Sequence, residues 1–219
     1  MTKPILITGG SRGIGKAIAL RLANAGHNLM LTYAQAQEEA DEVAEQCRTF
    51  GVDAVVLQLD MRNSESMCSL VEEVARLDGI STLVNNAGCL EATPFSDQPL
   101  EAIERLYRVN LEGPVKLTRL LLPYLDECIV NIVSVAATEI QPRILIYSSS
   151  KAGLLAFTTG LAQFYPSLRV YSVSPDETST GMSLFKGRNP QDVAEVVARV
   201  IAGAYPSGAN IDVATVLRG

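Results

Sequence analysis

Tyr147 and Lys151 stand four residues apart in the stretch YSSSK, with three serines between them. On a helix that spacing puts a phenol and an amine on one face, where both can address one pocket. A phenol with its ordinary pKa of about 10 is a reluctant acid or base near neutrality. A neighbouring ammonium favours the phenolate and lowers that value. Such a pair could give a proton to a carbonyl oxygen, and Ser134, thirteen residues upstream in IVSV, offers a hydroxyl to hold that oxygen. A solvated helix pair is the plain alternative, and the rest of the chain must decide between them.

A second stretch with chemistry in it is TGGSRGIG, Thr8 to Gly15, between an apolar run and an amphipathic segment. Glycines at 9, 13 and 15 allow positive φ and close backbone approach, and a following helix aims free N–H groups at an anion. The spacing departs from the G-x-G-x-x-G template, and a simple strand-to-helix turn would look similar. Its position after the first apolar run is where an open α/β sheet binds a dinucleotide. The end of the second run, LTYAQAQ, has no acid to take a ribose 2′-hydroxyl, and Arg12 could pair with a 2′-phosphate. That combination leans toward NADP(H) over NAD(H).

The elements that must position these groups alternate along the chain. Apolar runs at 4–8, 28–33, 53–60, 81–88, 128–135, 168–175 and 209–215 read as strands. Amphipathic stretches between them, such as 13–26 and 192–204, read as helices. Strand and helix in alternation imply parallel pairing, because parallel strands need crossover connections. The expected architecture is a single Rossmann-type domain spanning 1–219: a doubly wound, mostly parallel seven-stranded sheet flanked by helices.

Composition narrows the function classes. The chain has 219 residues, 47% hydrophobic and 19% charged, with a net charge of −6, so it reads as globular and without the basic footprint of a nucleic-acid binder. No apolar run is long enough for a membrane span, and the opening MTKPILITGG has too short an apolar stretch for a secretory signal. Four scattered cysteines and one histidine, with no CxxC pair, give no zinc pattern and point to reduced thiols in the cytoplasm.

Six motifs in order resemble the short-chain dehydrogenase/reductase family over almost the whole chain: TGGSRGIG, LDMR (59–62), NNAG (85–88), VNLEG (109–113), Ser134 and YSSSK. Overall similarity is greatest with bacterial 3-oxoacyl-(acyl carrier protein) reductases. The resemblance implies that Tyr147 donates the proton, that Ser134 orients the carbonyl and that Lys151 also holds the nicotinamide ribose. Asn110 would position a water that links Lys151 to a proton relay. It further implies cofactor contacts from Gly9, Ser11, Arg12, Gly13, Ile14 and Gly15, and from Thr32 at the end of the second strand. Asp60 and Met61, then Asn86, Ala87 and Gly88, then Tyr147, Lys151, Pro175 and Thr180 would complete the set. Asn85 could serve strand geometry as well as the cofactor. Family members commonly form dimers or tetramers through the helices before and after the fifth strand, here expected at PVKLTRLLLPYL (114–125) and AGLLAFTTGLAQF (152–164), which are apolar enough.

The chain also departs from that pattern. Asp176 follows Pro175 where the family has glycine, Tyr171 replaces a commoner Asn, and the substrate lid around 181–190 is short. A carboxylate at 176 would repel a pyrophosphate, and aspartate lacks glycine's freedom at positive φ. Asp126 and Glu127 lie where carrier-docking members place basic residues, and like charges disfavour that encounter. The expected activity is NADPH-dependent reduction of a ketone, with a 3-oxoacyl thioester, small or carrier-bound, as substrate. The rivals are a reductase of another small carbonyl compound and a weakly active nicotinamide-binding subunit of a heteromer.

Overall fold

A computed structural model describes residues 2–183 and 186–218. Seven strands make one sheet: β1 (Ile5–Ile7), β2 (Leu29–Tyr33), β3 (Ala54–Gln58), β4 (Ile80–Asn85), β5 (Leu125–Ile132), β6 (Arg169–Ser174) and β7 (Asn210–Asp212). Their spatial order is β3-β2-β1-β4-β5-β6-β7. Every pairing is parallel, so the sheet is more uniform than the mostly parallel expectation.

Parallel sheets are covered on both faces, which is why these strands are near-continuous apolar runs. Side chains alternate between two cores. Ile5, Ile7, Leu29, Leu31, Val84, Val130 and Val173 pack in one. Leu6, Met30, Leu83, Ile129 and Val170 pack in the other. The first core is closed by α1 (Gly13–Asn24), α2 (Gln37–Arg48) and α7 (Pro190–Ile201). On the second lie α3 (Ser64–Arg76) and α5 (Gly113–Leu121), with part of α6 (Leu145–Phe164). α4 (Leu100–Tyr107) leads into α5 through a π-turn at Arg108–Glu112.

Two expected elements are trimmed by identifiable residues. The last strand ends at Asp212, whose carboxylate accepts the Thr215 N–H at 2.9 Å and starts the short α8 (Val213–Val216), so the expected strand 209–215 is cut to three residues. The 114–125 stretch is not one helix: α5 stops at Leu121, a 3-10 turn covers Leu122–Tyr124, and Leu125 already belongs to β5. Pro123 within that turn cannot donate an α-helical bond. Tyr171 is buried in β6, with its hydroxyl donated to the Tyr205 carbonyl at 2.9 Å. The short-lid expectation falls partly on Leu184 and Phe185, which lie outside the described residues; Gly181–Ser183 form a single 3-10 turn and Asn189 caps α7. Among the described residues, no helix is long and apolar enough to cross a membrane.

The strand order reverses direction between β1 and β4. In open α/β sheets the crevice beyond the carboxyl ends at such a reversal is where ligands bind.

Candidate active site

The glycine loop leaves β1 at that crevice. Gly9 and Gly13 hold φ of 66° and 56°, values that only glycine adopts freely. Gly15 is required by contact: a Cβ there would lie 2.1 Å from the Gly9 carbonyl oxygen. Among the described residues the N–H groups of Ser11, Arg12, Gly13, Ile14 and Gly15 have no hydrogen-bond partner, and they converge at the N-terminus of α1. Five free donors beside the positive end of a helix form an anion cradle, and a pyrophosphate fits it. Arg12 is exposed beside it.

The neighbours of this loop hold its shape. Thr32 is buried, with its hydroxyl accepting the Gly9 N–H at 3.2 Å and its carbonyl the Gly10 N–H at 2.9 Å. It therefore supports the loop from beneath. Asn86 does the same from just after β4, donating to the carbonyls of Thr8 at 2.8 Å and Gly9 at 3.0 Å. Thr8 returns the tie by accepting the N–H groups of Asn86 and Ala87, each at 3.0 Å. Asn85 is fully inside: its amide donates to Asn131 at 2.8 Å and Thr118 at 3.1 Å, so it pins β4 to β5 and α5.

Asp60, expected at the adenine, is held by Arg62 through Nε–Oδ1 at 2.9 Å and Nη2–Oδ2 at 2.7 Å. The Arg62 guanidinium accordingly keeps that carboxyl below the ordinary carboxylate range. Its Oδ1 also accepts the Arg62 backbone N–H at 2.9 Å, so the carboxylate is not a free acceptor. Met61 is buried, and its carbonyl lies against Gly113 at the start of α5.

Ser134, Tyr147 and Lys151 meet beyond the carboxyl end of β5. Ser134 caps a 3-10 turn (Val135–Ala137), accepting the Ala136 N–H at 3.1 Å. Pro175 comes alongside, its carbonyl accepting the Val135 N–H at 3.0 Å. Tyr147 and Lys151 lie on α6, one turn apart as their spacing requires. The Lys151 ammonium is buried, donates to the Ile132 carbonyl at 2.7 Å and lies 5.9 Å from the centroid of the Tyr147 ring. Desolvation lowers its pKa to about 8.

The tyrosine departs from expectation. Desolvation raises its pKa above the ordinary phenol value; the Ser134 hydroxyl opposes this by hydrogen bonding, without reversing it. Lys151 does not act as the expected depressor, because its ammonium is turned to Ile132. The phenol is thus protonated at neutral pH, the form needed to protonate an alkoxide.

Asn110 lies buried in the π-turn and clamps two segments at once. Its side-chain oxygen accepts the Cys89 N–H at 2.9 Å; its amide donates to the Cys89 carbonyl at 2.9 Å and to Ser150 at 3.1 Å. Both amide hydrogens are used, so the side chain registers the Gly88–Cys89 segment against α6. A Cβ on Gly88 would sit 3.2 Å from that Asn110 oxygen and 3.6 Å from the Lys151 nitrogen.

The opposite wall is the segment after β6. Thr180 reaches the glycine loop, since a Cβ on Gly13 would be 3.2 Å from its methyl group. Asp176 does not take positive φ; among the described non-glycine residues only Asp78 does. Its carboxylate meets Arg188 through Nε–Oδ1 at 2.7 Å and Nη2–Oδ2 at 2.8 Å. The repulsion expected from an open carboxylate is met by a cation. Sequence reading missed Arg188, Asn131, Thr118 and Ser150. Only Asn131 carried a signal, a polar residue within the apolar run CIVNIVSV.

An anion cradle at a strand-order reversal, facing a protonated phenol and a buried amine, defines a Rossmann-type dinucleotide-binding oxidoreductase. The family model described as short chain dehydrogenase matches residues 3–191. The chain is 31% identical to the 3-oxoacyl-(acyl-carrier-protein) reductase FabG of Staphylococcus aureus, over 80% of this chain and 74% of the relative. To the 3-oxoacyl-(acyl-carrier-protein) reductase of a Synechocystis species it is 32% identical, over 95% of this chain and 94% of the relative. Its structure matches that of a short chain dehydrogenase from Burkholderia cenocepacia in complex with NADP: TM-score 0.90, 31% identity, 96% of this chain and 95% of the other. The chain belongs to the short-chain dehydrogenase/reductase family and is an NAD(P)-dependent oxidoreductase.

Proposed function

We propose that this protein is an NADPH-dependent ketoreductase whose substrate is a 3-oxoacyl thioester, reduced to the 3-hydroxyacyl product. The observation that carries the reading is the placing of Tyr147 and the buried Lys151 ammonium, one turn apart on α6, with Ser134 just beyond the end of β5. The free N–H groups from Ser11 to Gly15 would hold the pyrophosphate, and Arg12 the 2′-phosphate. When bound, the reduced nicotinamide supplies a hydride to the substrate's carbonyl carbon. Ser134 holds the carbonyl oxygen by hydrogen bonding, and Tyr147 gives its proton to that oxygen as negative charge develops there. The Lys151 ammonium has hydrogens beyond the one given to Ile132, and these would hold the ribose and limit charge build-up on the phenol.

The thioester assignment draws on the two 3-oxoacyl reductases at 31% and 32% identity. The expected clash with an acidic carrier is softened, because Asp126 pairs with Lys3 at 2.8 Å and Glu127 with Arg169 at 3.2 Å. A dimer or tetramer would use the outer faces of α5 and α6, where Leu120 and Phe164 are exposed.

Loss of reduced-nicotinamide absorbance with a panel of 3-oxoacyl thioesters, NADPH and NADH in parallel, tests the reading. The expected result is turnover that prefers NADPH and falls about 100-fold or more in Tyr147→Phe. Binding of NADPH without turnover on any thioester would overturn the substrate assignment and leave the cofactor assignment standing.

A further inference from the structure

Asp176 and Arg188 lie twelve residues apart at the two ends of the segment between β6 and α7. Their side chains meet as a fork, with 33% and 19% of their surface exposed. The backbone meets too. Arg188 donates its N–H to Glu177 at 2.7 Å and accepts the Ser179 N–H at 2.7 Å, so it forms a parallel bridge with Thr178. Gly187 makes this approach possible: its φ is 94°, and a Cβ there would lie 2.1 Å from the Glu177 carbonyl oxygen. Thr178 donates its hydroxyl to the Asp176 carbonyl at 2.9 Å. One residue, Arg188, thus fixes residues 176–179 by backbone and side chain together. The next residue along, Thr180, rests against the turn of the glycine loop at Gly13.

We propose that Arg188 is a positioning residue for the nicotinamide cofactor: it neutralises Asp176 and holds the 176–180 segment against the glycine loop. This rests on the dinucleotide-site reading above. The charges around Asp176 support it. Arg188 is the largest influence holding that carboxyl low, with Arg218 a smaller one; Asp192 and Asp212 add negative charge around the guanidinium. Without Arg188, Asp176 would keep only the smaller influence of Arg218, beside the site read as holding an anionic cofactor. The two backbone ties belong to the main chain and survive a side-chain substitution, so the loss falls on the fork to Asp176.

NADPH titration by fluorescence, with thermal melting of each variant, tests the assignment on wild type, Arg188→Ala, Arg188→Lys and Asp176→Gly/Arg188→Ala. Arg188→Ala should weaken NADPH about tenfold or more, the scale of a lost charged hydrogen bond. Lysine should restore only part of this, because an ammonium cannot fork. The double variant should bind NADPH more tightly than Arg188→Ala, because the unpaired carboxylate is gone; a purely structural role would not produce that recovery. Wild-type affinity in Arg188→Ala, or equal losses in the single and double variants, would overturn the proposal while the cofactor reading stands. Should Arg188→Ala not fold, wild-type affinity in Arg188→Lys would overturn it equally. Absence of NADPH and NADH binding by the wild type would overturn both.

Discussion

Lys151 donates an ammonium hydrogen to the carbonyl of Ile132, the last residue of β5, across 2.7 Å. That bond turns the amine toward the end of the sheet, under burial that lowers its pKa to about 8 from 10.5. Between those values the unfolded chain keeps a proton that the folded chain has lost, so this residue adds stability as pH rises from about 8 to 10.5. The buried thiols Cys47 and Cys128, pushed up to about 11 and about 12, act the other way above pH 9. The stability difference between wild type and Lys151→Met isolates the amine. Measured by denaturant unfolding, it should grow in favour of wild type from pH 8 to 10.5. A flat difference would show that the folded amine titrates as it does in water.

Asn110→Ala removes three hydrogen bonds from a buried site and strands the Cys89 backbone. The expected loss is about 1–3 kcal/mol of stability. Turnover should fall with it, because Gly88 and Cys89 lose their register with α6. Urea unfolding beside steady-state kinetics checks both, and an unchanged kcat would remove Asn110 from the positioning of the site.

Gly15→Ala sets a methyl group into the Gly9 carbonyl oxygen, a backbone atom with little room to move. A cost of roughly 1–3 kcal/mol in stability is expected, with loss of cofactor affinity as the loop opens. Gly160→Ala is the control. Its Cβ would meet nothing within 4 Å and it lies inside α6, so a gain of about 0.5–1 kcal/mol is expected. Thermal melts of the two variants should move in opposite directions.

Arg12 is exposed at the mouth of the anion cradle and bonds to no capping partner through its side chain. Arg12→Ser should weaken NADPH about tenfold and leave NADH nearly unchanged, since only a 2′-phosphate needs the guanidinium. Equal effects on the two cofactors would mean that Arg12 does not read the 2′-phosphate.

Much of the fold was legible because parallel strands buried on both faces must be apolar throughout, and turns between them show in glycine. Where a single side chain overrides periodicity, the reading failed. Asp212 caps a helical turn inside an apolar run, and Pro123 ends a helix whose apolar pattern continues into β5. At the site, residue types and order were visible, but the partners of each group were not. That Thr32 and Asn86 bond to the glycine loop could not be read from residue types and order.

The sequence by itself determined the alternation of strand and helix, the glycine loop and the helical pairing of Tyr147 with Lys151, because all three are local in the chain. Only the tertiary structure decided the direction in which the Tyr147 pKa moves, upward by desolvation. Lys151 bonds to Ile132, nineteen residues away, and burial then outweighs the attraction the spacing implied. The fate of Asp176 was likewise decided by a partner twelve residues away. Burial and long-range pairing set charge, and neither is written in local sequence.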